Sequence, residues 1–150
     1  MDLVACLCTN ARRAALVLTA RYDEALASHG LKVTQFSLLR AVERRGAPNL
    51  TALAEATGLD RSTLGRNLRV LEAMGLVRLT AGHDQRDRVL ALTARGRTRV
   101  RAAGEAWRRL QASLAADLGE DAARFVEVAR RVSALPGPRR TRAQGQAEAP

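Results

Sequence analysis

Apolar residues recur at spacings of three and four over most of this chain, and at tighter spacing over one short stretch before and after residue 85. Between about Leu3 and His29, the positions Leu7, Ala11, Ala14, Leu18, Tyr22 and Ala25 form one stripe, which predicts an amphipathic helix closed by Gly30. Thr34 is expected to cap the next helix, with Phe36, Leu38, Leu39 and Val42 toward the core and Gly46-Ala47-Pro48 as its stop. Asn49 caps a short helix through Leu50, Leu53, Ala54 and Ala56, and Gly58 breaks it. Asp60 then opens another, because its carboxylate takes the unpaired amide protons of the first turn and complements the positive end of the helix dipole. Leu64, Leu68 and Leu71 follow at i, i+4 and i+7, leaving Arg61, Ser62, Thr63, Arg66 and Asn67 on or beside the opposite face.

Two helices joined by so short a turn predict a helix-turn-helix, whose second helix enters the major groove by its N-terminal residues. Downstream, Gly75 to Thr80 and Val89 to Leu92 read as two strands around a polar stretch from Ala81 to Arg88, the pattern of a hairpin wing. Thr93 is expected to cap a long helix carrying Val100, Ala103, Trp107, Leu110 and Leu114 as far as Gly119. Glu120 and Asp121 open a last helix with Phe125, Val128, Ala129 and Val132. The terminal helices are more apolar than a lone winged helix requires, so a second subunit is the expected cover.

At this point the chain resembles the MarR family of winged-helix transcriptional regulators. The resemblance is carried by Leu53-Ala54 and Gly58-Leu59, Leu71-Glu72 and Gly75-Leu76-Val77, Asp84-x-Arg86, and Leu92-Thr93-x-x-Gly96, in that order and spacing, and covers roughly residues 3 to 134. It implies a mainly α (α+β) fold in one domain over 1–135. A winged helix would occupy about 33–93 with a two-stranded wing, between dimerisation helices at about 3–29 and 94–134. It also implies a homodimer on double-stranded DNA, reading a pseudo-palindromic operator with two recognition helices about one helical turn apart. Small aromatic or phenolic effectors bind such proteins between the dimerisation helices and the winged helix, and Arg12, Tyr22 and Phe36 are the candidates here.

Charge sharpens this picture. The 150 residues carry 25 Lys+Arg against 15 Asp+Glu, a net +10, and Lys32 is the sole lysine. A basic balance points to a polyanionic partner but says nothing of fold. From Asp60 to Arg101, ten arginines face only Asp60, Glu72, Asp84 and Asp87, so the excess sits on the helix-turn-helix and wing. Residues 136–150 lack apolar periodicity and include Arg139, Arg140 and Arg142, which predicts a disordered basic tail. No stretch is apolar enough to span a membrane and Met1-Asp2 lacks the positive start of a secretory signal, so a cytoplasmic location is expected.

The expected DNA contacts are Arg61, Ser62, Thr63, Arg66 and Asn67 from the helix and Arg86 and Arg88 from the wing. The plain alternative for the helix is a solvated polar face; the cap, the preceding helix, the hairpin and the local charge favour DNA. For the wing it is a charged turn stiffened by Asp84 and Arg86, whereas the resemblance places Arg86 in the minor groove, where a narrow groove attracts a cation. Arg95, Arg97, Arg99 and Arg101 alternate along a helix and cannot all face one way, so most are expected in solvent and one or two near phosphate.

Cys8 carries the sharper alternative. The resembled family has a branch that senses organic peroxide through a cysteine near the start of the first helix, with a tyrosine at the place of Tyr22 reaching it from the other subunit. Fourteen helical residues span about 21 Å, so Cys8 and Tyr22 of one chain cannot meet while those of antiparallel partners can. Val33 stands where that branch has a second tyrosine, and the plain alternative is a small buried hydrophobe in the dimer interface. Arg12 and Arg13 are nearby charges that would favour a thiolate. Cys6 and Cys8, read as two positions on one helix, point apart and are not expected to bridge. His29 and His83 give no metal-ligand spacing, and no cofactor fingerprint is present. No Ser lies on a Gly-x-Ser-x-Gly elbow, so an enzyme is not expected; a thiol peroxidase built on Cys8 is the most concrete catalytic alternative. An architectural protein that coats DNA is the other, though Ser62, Thr63 and Asn67 favour base reading. The reading is a sequence-specific DNA-binding regulator, a repressor released by a small ligand.

Overall fold

A computed structural model of the chain describes residues 5–46, 48–81 and 88–136. The segment with His83, Asp84 and Arg86 and the basic tail from residue 137 lie outside them. The elements run α1 (Leu7–Leu26), a 3-10 turn (Ala27–His29), α2 (Val33–Arg45), α3 (Leu50–Thr57), α4 (Arg61–Ala73), β1 (Val77–Ala81), β2 (Arg88–Leu92), α5 (Ala94–Leu118) and α6 (Asp121–Ser133). Residues divide into two compact units, Met1–Ala112 and Ser113–Pro150. No helix among the described residues is long and apolar enough to cross a membrane.

Local chemistry explains most helix ends. Gly30 takes a left-handed φ of 64° after the 3-10 turn, which a side chain would oppose. The Asn49 Oδ1 accepts from the Ala52 amide at 2.8 Å, and Gly58 closes α3 at φ 66°. One cap differs from expectation: α2 begins at Val33, with Lys32 and not Thr34 at the cap position. Its first amides are satisfied from elsewhere. Asp23 on α1 accepts from the Val33 amide at 2.7 Å, and the Gln35 side chain accepts from the Lys32 amide at 2.9 Å. A carboxylate supplied by another helix starts α2 two residues earlier than its own sequence would.

The first unit buries Leu38, Leu39 and Val42 of α2, Leu53 of α3, and Leu64, Leu68 and Leu71 of α4 in one core. The wing strands seal it. In the antiparallel register Val77 faces Leu92 and Leu79 faces Leu90, so one face of the hairpin is apolar, while Arg78 and Ala91 pair on the other. The Leu90 amide also donates to Pro48 O at 3.0 Å, which ties the wing to the turn ahead of α3. The α1 stripe is less buried than its periodicity suggests: Leu26 is enclosed, Leu18 and Tyr22 are half-buried, and Leu7 and Ala11 are exposed.

The junction between β2 and α5 is closely packed. The Thr93 hydroxyl accepts from the Gly96 amide at 2.9 Å, capping α5, and donates to Gly75 O at 2.7 Å, while the Thr93 amide donates to Leu76 O at 3.1 Å. Gly96 lies so close that a Cβ there would sit 2.0 Å from Leu76 O. The spacing Thr93-x-x-Gly96 is therefore a cap plus a backbone contact. Two of the alternating arginines also act here. Arg97 donates to Leu92 O at 2.9 Å and Arg99 donates to His29 O, so both fasten carbonyls at element ends and are committed within the chain.

In the second unit α6 presents Phe125, Val128 and Val132 to the outside, each about half exposed. The sequence expectation that these residues need a covering partner is consistent with that exposure.

Gly96→Ala is expected to cost about 3 kcal/mol, the upper end for overpacking, because the obstructing atom is backbone. Gly104→Ala, whose new Cβ would meet only Arg108 Nη1 at 3.8 Å, should be neutral or stabilise by up to about 1 kcal/mol through helix propensity. Urea denaturation of both variants checks this pair, and equal stabilities would show that the α5 junction is misread.

Candidate nucleic-acid interface

The outward face of α4 begins with its cap. Asp60 accepts from the Ser62 amide at 2.9 Å and the Thr63 amide at 3.0 Å, and its two oxygens also accept from the Ser62 hydroxyl at 2.6 Å and the Thr63 hydroxyl at 2.7 Å. The Ser62 hydroxyl, followed by the Thr63 amide and hydroxyl, holds the carboxyl well below the usual carboxylate range. Both hydroxyl protons are thus spent on the cap. Phosphate oxygens only accept, so in this arrangement Ser62 and Thr63 offer lone pairs, which suit the amino groups of cytosine or adenine and not a phosphate. Asn67 is half-buried and donates to Thr63 O at 2.9 Å, leaving its carbonyl oxygen and a second N–H to spare.

Arg61, Arg66 and Arg69 are the long side chains of this face, and all three are exposed. No acidic side chain other than the internally bonded Asp60 lies among residues 60–71. The structure therefore brings Arg61, Ser62, Thr63, Arg66 and Asn67 together on one helix end, as the spacing predicts. Arg69 was not expected, although its place four residues after Gly65 and eight after Arg61 is a readable signal. Arg88 begins β2, and Arg86 is outside the described residues.

A second feature lies between α2 and α5. A cavity of about 640 Å³ is lined by Phe36, Ser37, Arg40 and Arg44 from α2 and by Val100, Arg101, Gly104, Glu105, Trp107 and Arg108 from α5. Its aromatic wall is continuous with an inner array: Trp107 lies 6.4 Å from both the Phe36 and the Tyr22 rings, and Tyr22 hydrogen-bonds Gln111. Burial raises the Tyr22 phenol above its ordinary pKa. Arg40 pairs with Glu43 and Arg108 with Glu105, whereas Arg44 and Arg101 make no ion pair among the described residues. Of the three expected effector residues, Phe36 lines this cavity and Tyr22 stands behind Trp107. Arg12 does not line it; it is exposed on α1, and the cations at the cavity are the four arginines of α2 and α5. Arg40 and Arg44, four apart and one turn beyond Phe36, were the available sequence signal.

The cysteines differ from expectation as well. Cys6 is the N-cap of α1 with an extended backbone, so only Cys8 lies on the helix. Hydrogen bonding from Thr9, side chain before backbone, lowers the Cys6 pKa. Cys8 is exposed in the single chain.

A sequence profile described as the MarR family matches residues 29–87, from the end of the 3-10 turn after α1 to the wing. The chain is 38% identical to the transcriptional regulator MosR of M. tuberculosis in a structure solved with DNA; 85% of this chain and 98% of that one are covered, with a TM-score of 0.71. This chain belongs to the MarR family. A structure of MosR alone is similar at 36% identity, covering 89% of this chain and 97% of that one with a TM-score of 0.78. The PcaV regulator of Streptomyces coelicolor, solved with its natural ligand, is similar at 26% identity over 89% and 95% of the two chains, with a TM-score of 0.81. A comparison with curated proteins gives no match. The MarR profile covers α2 to β1 and so includes the whole α4 face, while the solved structures extend the likeness to the terminal helices.

The cap predicts a pH-dependent effect. The Asp60 pKa is depressed by folding, so its contribution is complete above the ordinary carboxylate value of 3.8 and is lost as pH falls through the folded value. Asp60→Ala should lower the melting temperature at pH 7, and the gap between variant and wild type should narrow in strong acid. Asp60→Asn should keep most of the cap. Thermal scans across pH check this, and a gap independent of pH would remove the ionised cap from the account.

Proposed function

We propose that this MarR-family protein is a homodimeric, sequence-specific repressor that binds a pseudo-palindromic operator in double-stranded DNA and is released by a small anionic aromatic effector. The observation that carries the reading is the α4 face, where Arg61, Arg66 and Arg69 stand exposed on a helix whose opposite side is fixed by Leu64, Leu68 and Leu71. Such a helix end enters a major groove. Arg61 and Arg66 supply the donors for guanine edges and phosphates, Ser62 and Thr63 accept from exocyclic amino groups, and Asn67 has both kinds of group. Arg86 and Arg88 are the proposed minor-groove contacts of the same half-site. The related MosR structure contains DNA, which supports this use of the face. The protein acts by binding and not by catalysis.

Dimerisation supplies the second half-site. The exposed Phe125, Val128 and Val132 of α6 and Leu7, Leu16 and Val17 of α1 are the apolar surfaces that a second copy would cover. The effector enters the cavity between α2 and α5, where Phe36 and Trp107 stack an aromatic ring and Arg44 and Arg101 attract its charge. PcaV, which was solved with a ligand, supports control by a small molecule. Release follows if the ligand prefers a conformer in which the two recognition helices are wrongly spaced.

A thiol-based peroxide response is the second reading. The observation that favours it is the exposure of Cys8 at the start of α1, since access governs oxidation. Release of DNA by organic peroxide, abolished by Cys8→Ser, would establish it. Unmodified thiols with DNA still bound would dismiss it.

Selection of bound fragments from random DNA tests the main reading, with an inverted repeat as the expected product. On that duplex Arg66→Ala should lose about 1–3 kcal/mol and relax preference at one position per half-site. Arg86→Ala should weaken binding more evenly and flatten its salt dependence. Titrations by fluorescence anisotropy distinguish the two, and unchanged binding in both variants would overturn the assignment.

A further inference from the structure

Three glycines lie inside helices of the first unit, and they differ in what surrounds them. Gly96 has no room for a Cβ, and Gly104 opens on the cavity wall with Arg108 as its nearest neighbour. Gly65, in the middle of α4, has no atom of the rest of the chain within 4 Å of where its Cβ would be. Its backbone is helical and not left-handed, since it is absent from the glycines with positive φ. Neither packing nor conformation explains it, yet glycine in a helix interior weakens the helix relative to alanine.

Its position suggests what the bare backbone serves. Arg61, Gly65 and Arg69 follow one another at intervals of four, so they form one row along α4, with about 6 Å of rise between neighbours. Gly65 is flanked along this row by two exposed guanidiniums, and Ser62 and Arg66 lie on the adjoining row. A second copy of this surface would be repelled by its own charge. A polyanion would not. A smooth strip between two cations about 12 Å apart along the helix suits a sugar–phosphate strand, whose charges the flanking arginines would meet.

Resting on the proposed DNA reading, we infer that Gly65 is the position where the backbone of α4 lies against a DNA strand, and that the missing side chain leaves room for that strand. Arg61 and Arg69 then hold phosphates on either side of it. Phosphate contacts position a protein without reading sequence, so Gly65 governs affinity for duplex DNA in general and leaves base preference to its neighbours.

The test compares full-length wild type with Gly65→Ala and Gly65→Leu, using a duplex recovered by selection and a scrambled duplex of the same length. Thermal unfolding should show Gly65→Ala more stable, by about 3 °C, because alanine favours the helix and meets no obstruction. Anisotropy titrations should show its affinity for both duplexes reduced about tenfold and by the same factor, with a larger loss for Gly65→Leu. Three results would overturn the inference: binding by Gly65→Ala within about twofold of wild type, a loss confined to the selected duplex, or a fall in melting temperature, which would reveal an internal contact for the Cβ. Wild type that binds neither duplex would instead overturn the proposed function itself.

Discussion

The hydroxyl of Thr93 holds the reading head to the long helix behind it. It donates to the carbonyl of Gly75, at the end of α4, and accepts from the amide of Gly96, at the start of α5, while Gly96 rests on the carbonyl of Leu76 with no side chain between. Helix, wing and α5 therefore meet at one backbone joint that leaves little freedom for sliding. Arg97, on Leu92 O, and Arg99, on His29 O, brace the same region from α5. Interfaces packed this closely tend to move as bodies and not to deform continuously. A shift of α5 would carry the α4 face with it.

The cavity sits where such a shift would begin. Its walls are α2, which packs on α3 and α4, and the part of α5 between Val100 and Arg108. A ring bound against Phe36 and Trp107 would bear on both of those helices. Its charge would be shared by Arg44 on one wall and Arg101 on the other. Ligand binding and head position would then be coupled through short, stiff connections, as an equilibrium between two conformers with different ligand affinity.

Local rules made much of this legible in the sequence. Asn49, Asp60 and Thr93 cap the helices that their side chains predict, and the leucines at 64, 68 and 71 face the core as their spacing requires. The pieces that escaped are tertiary. Thr34 looked like a cap, but Asp23 reaches over from α1 and starts the helix at Val33. The alternating arginines after the wing looked solvated or bound for phosphate, and two of them hold carbonyls distant in sequence or at a strand end. Arg12 was a candidate for the effector site, whereas the cations that line this cavity come from α2 and α5. Ser62 and Thr63 were expected on DNA with no direction assigned to their hydrogen bonds, and the cap beside them takes both hydroxyl protons. Each miss is a side chain whose partner lies off its own helix face or is already engaged.

Hydrogen–deuterium exchange of the full chain, with and without a duplex recovered by selection, tests the central claim that the α4 face is the DNA interface. Peptides covering residues 61–69 should slow their exchange on adding the duplex, while peptides of α6 covering residues 121–133 should be unchanged by it. Protection of α6 with no change across residues 61–69 would contradict the account.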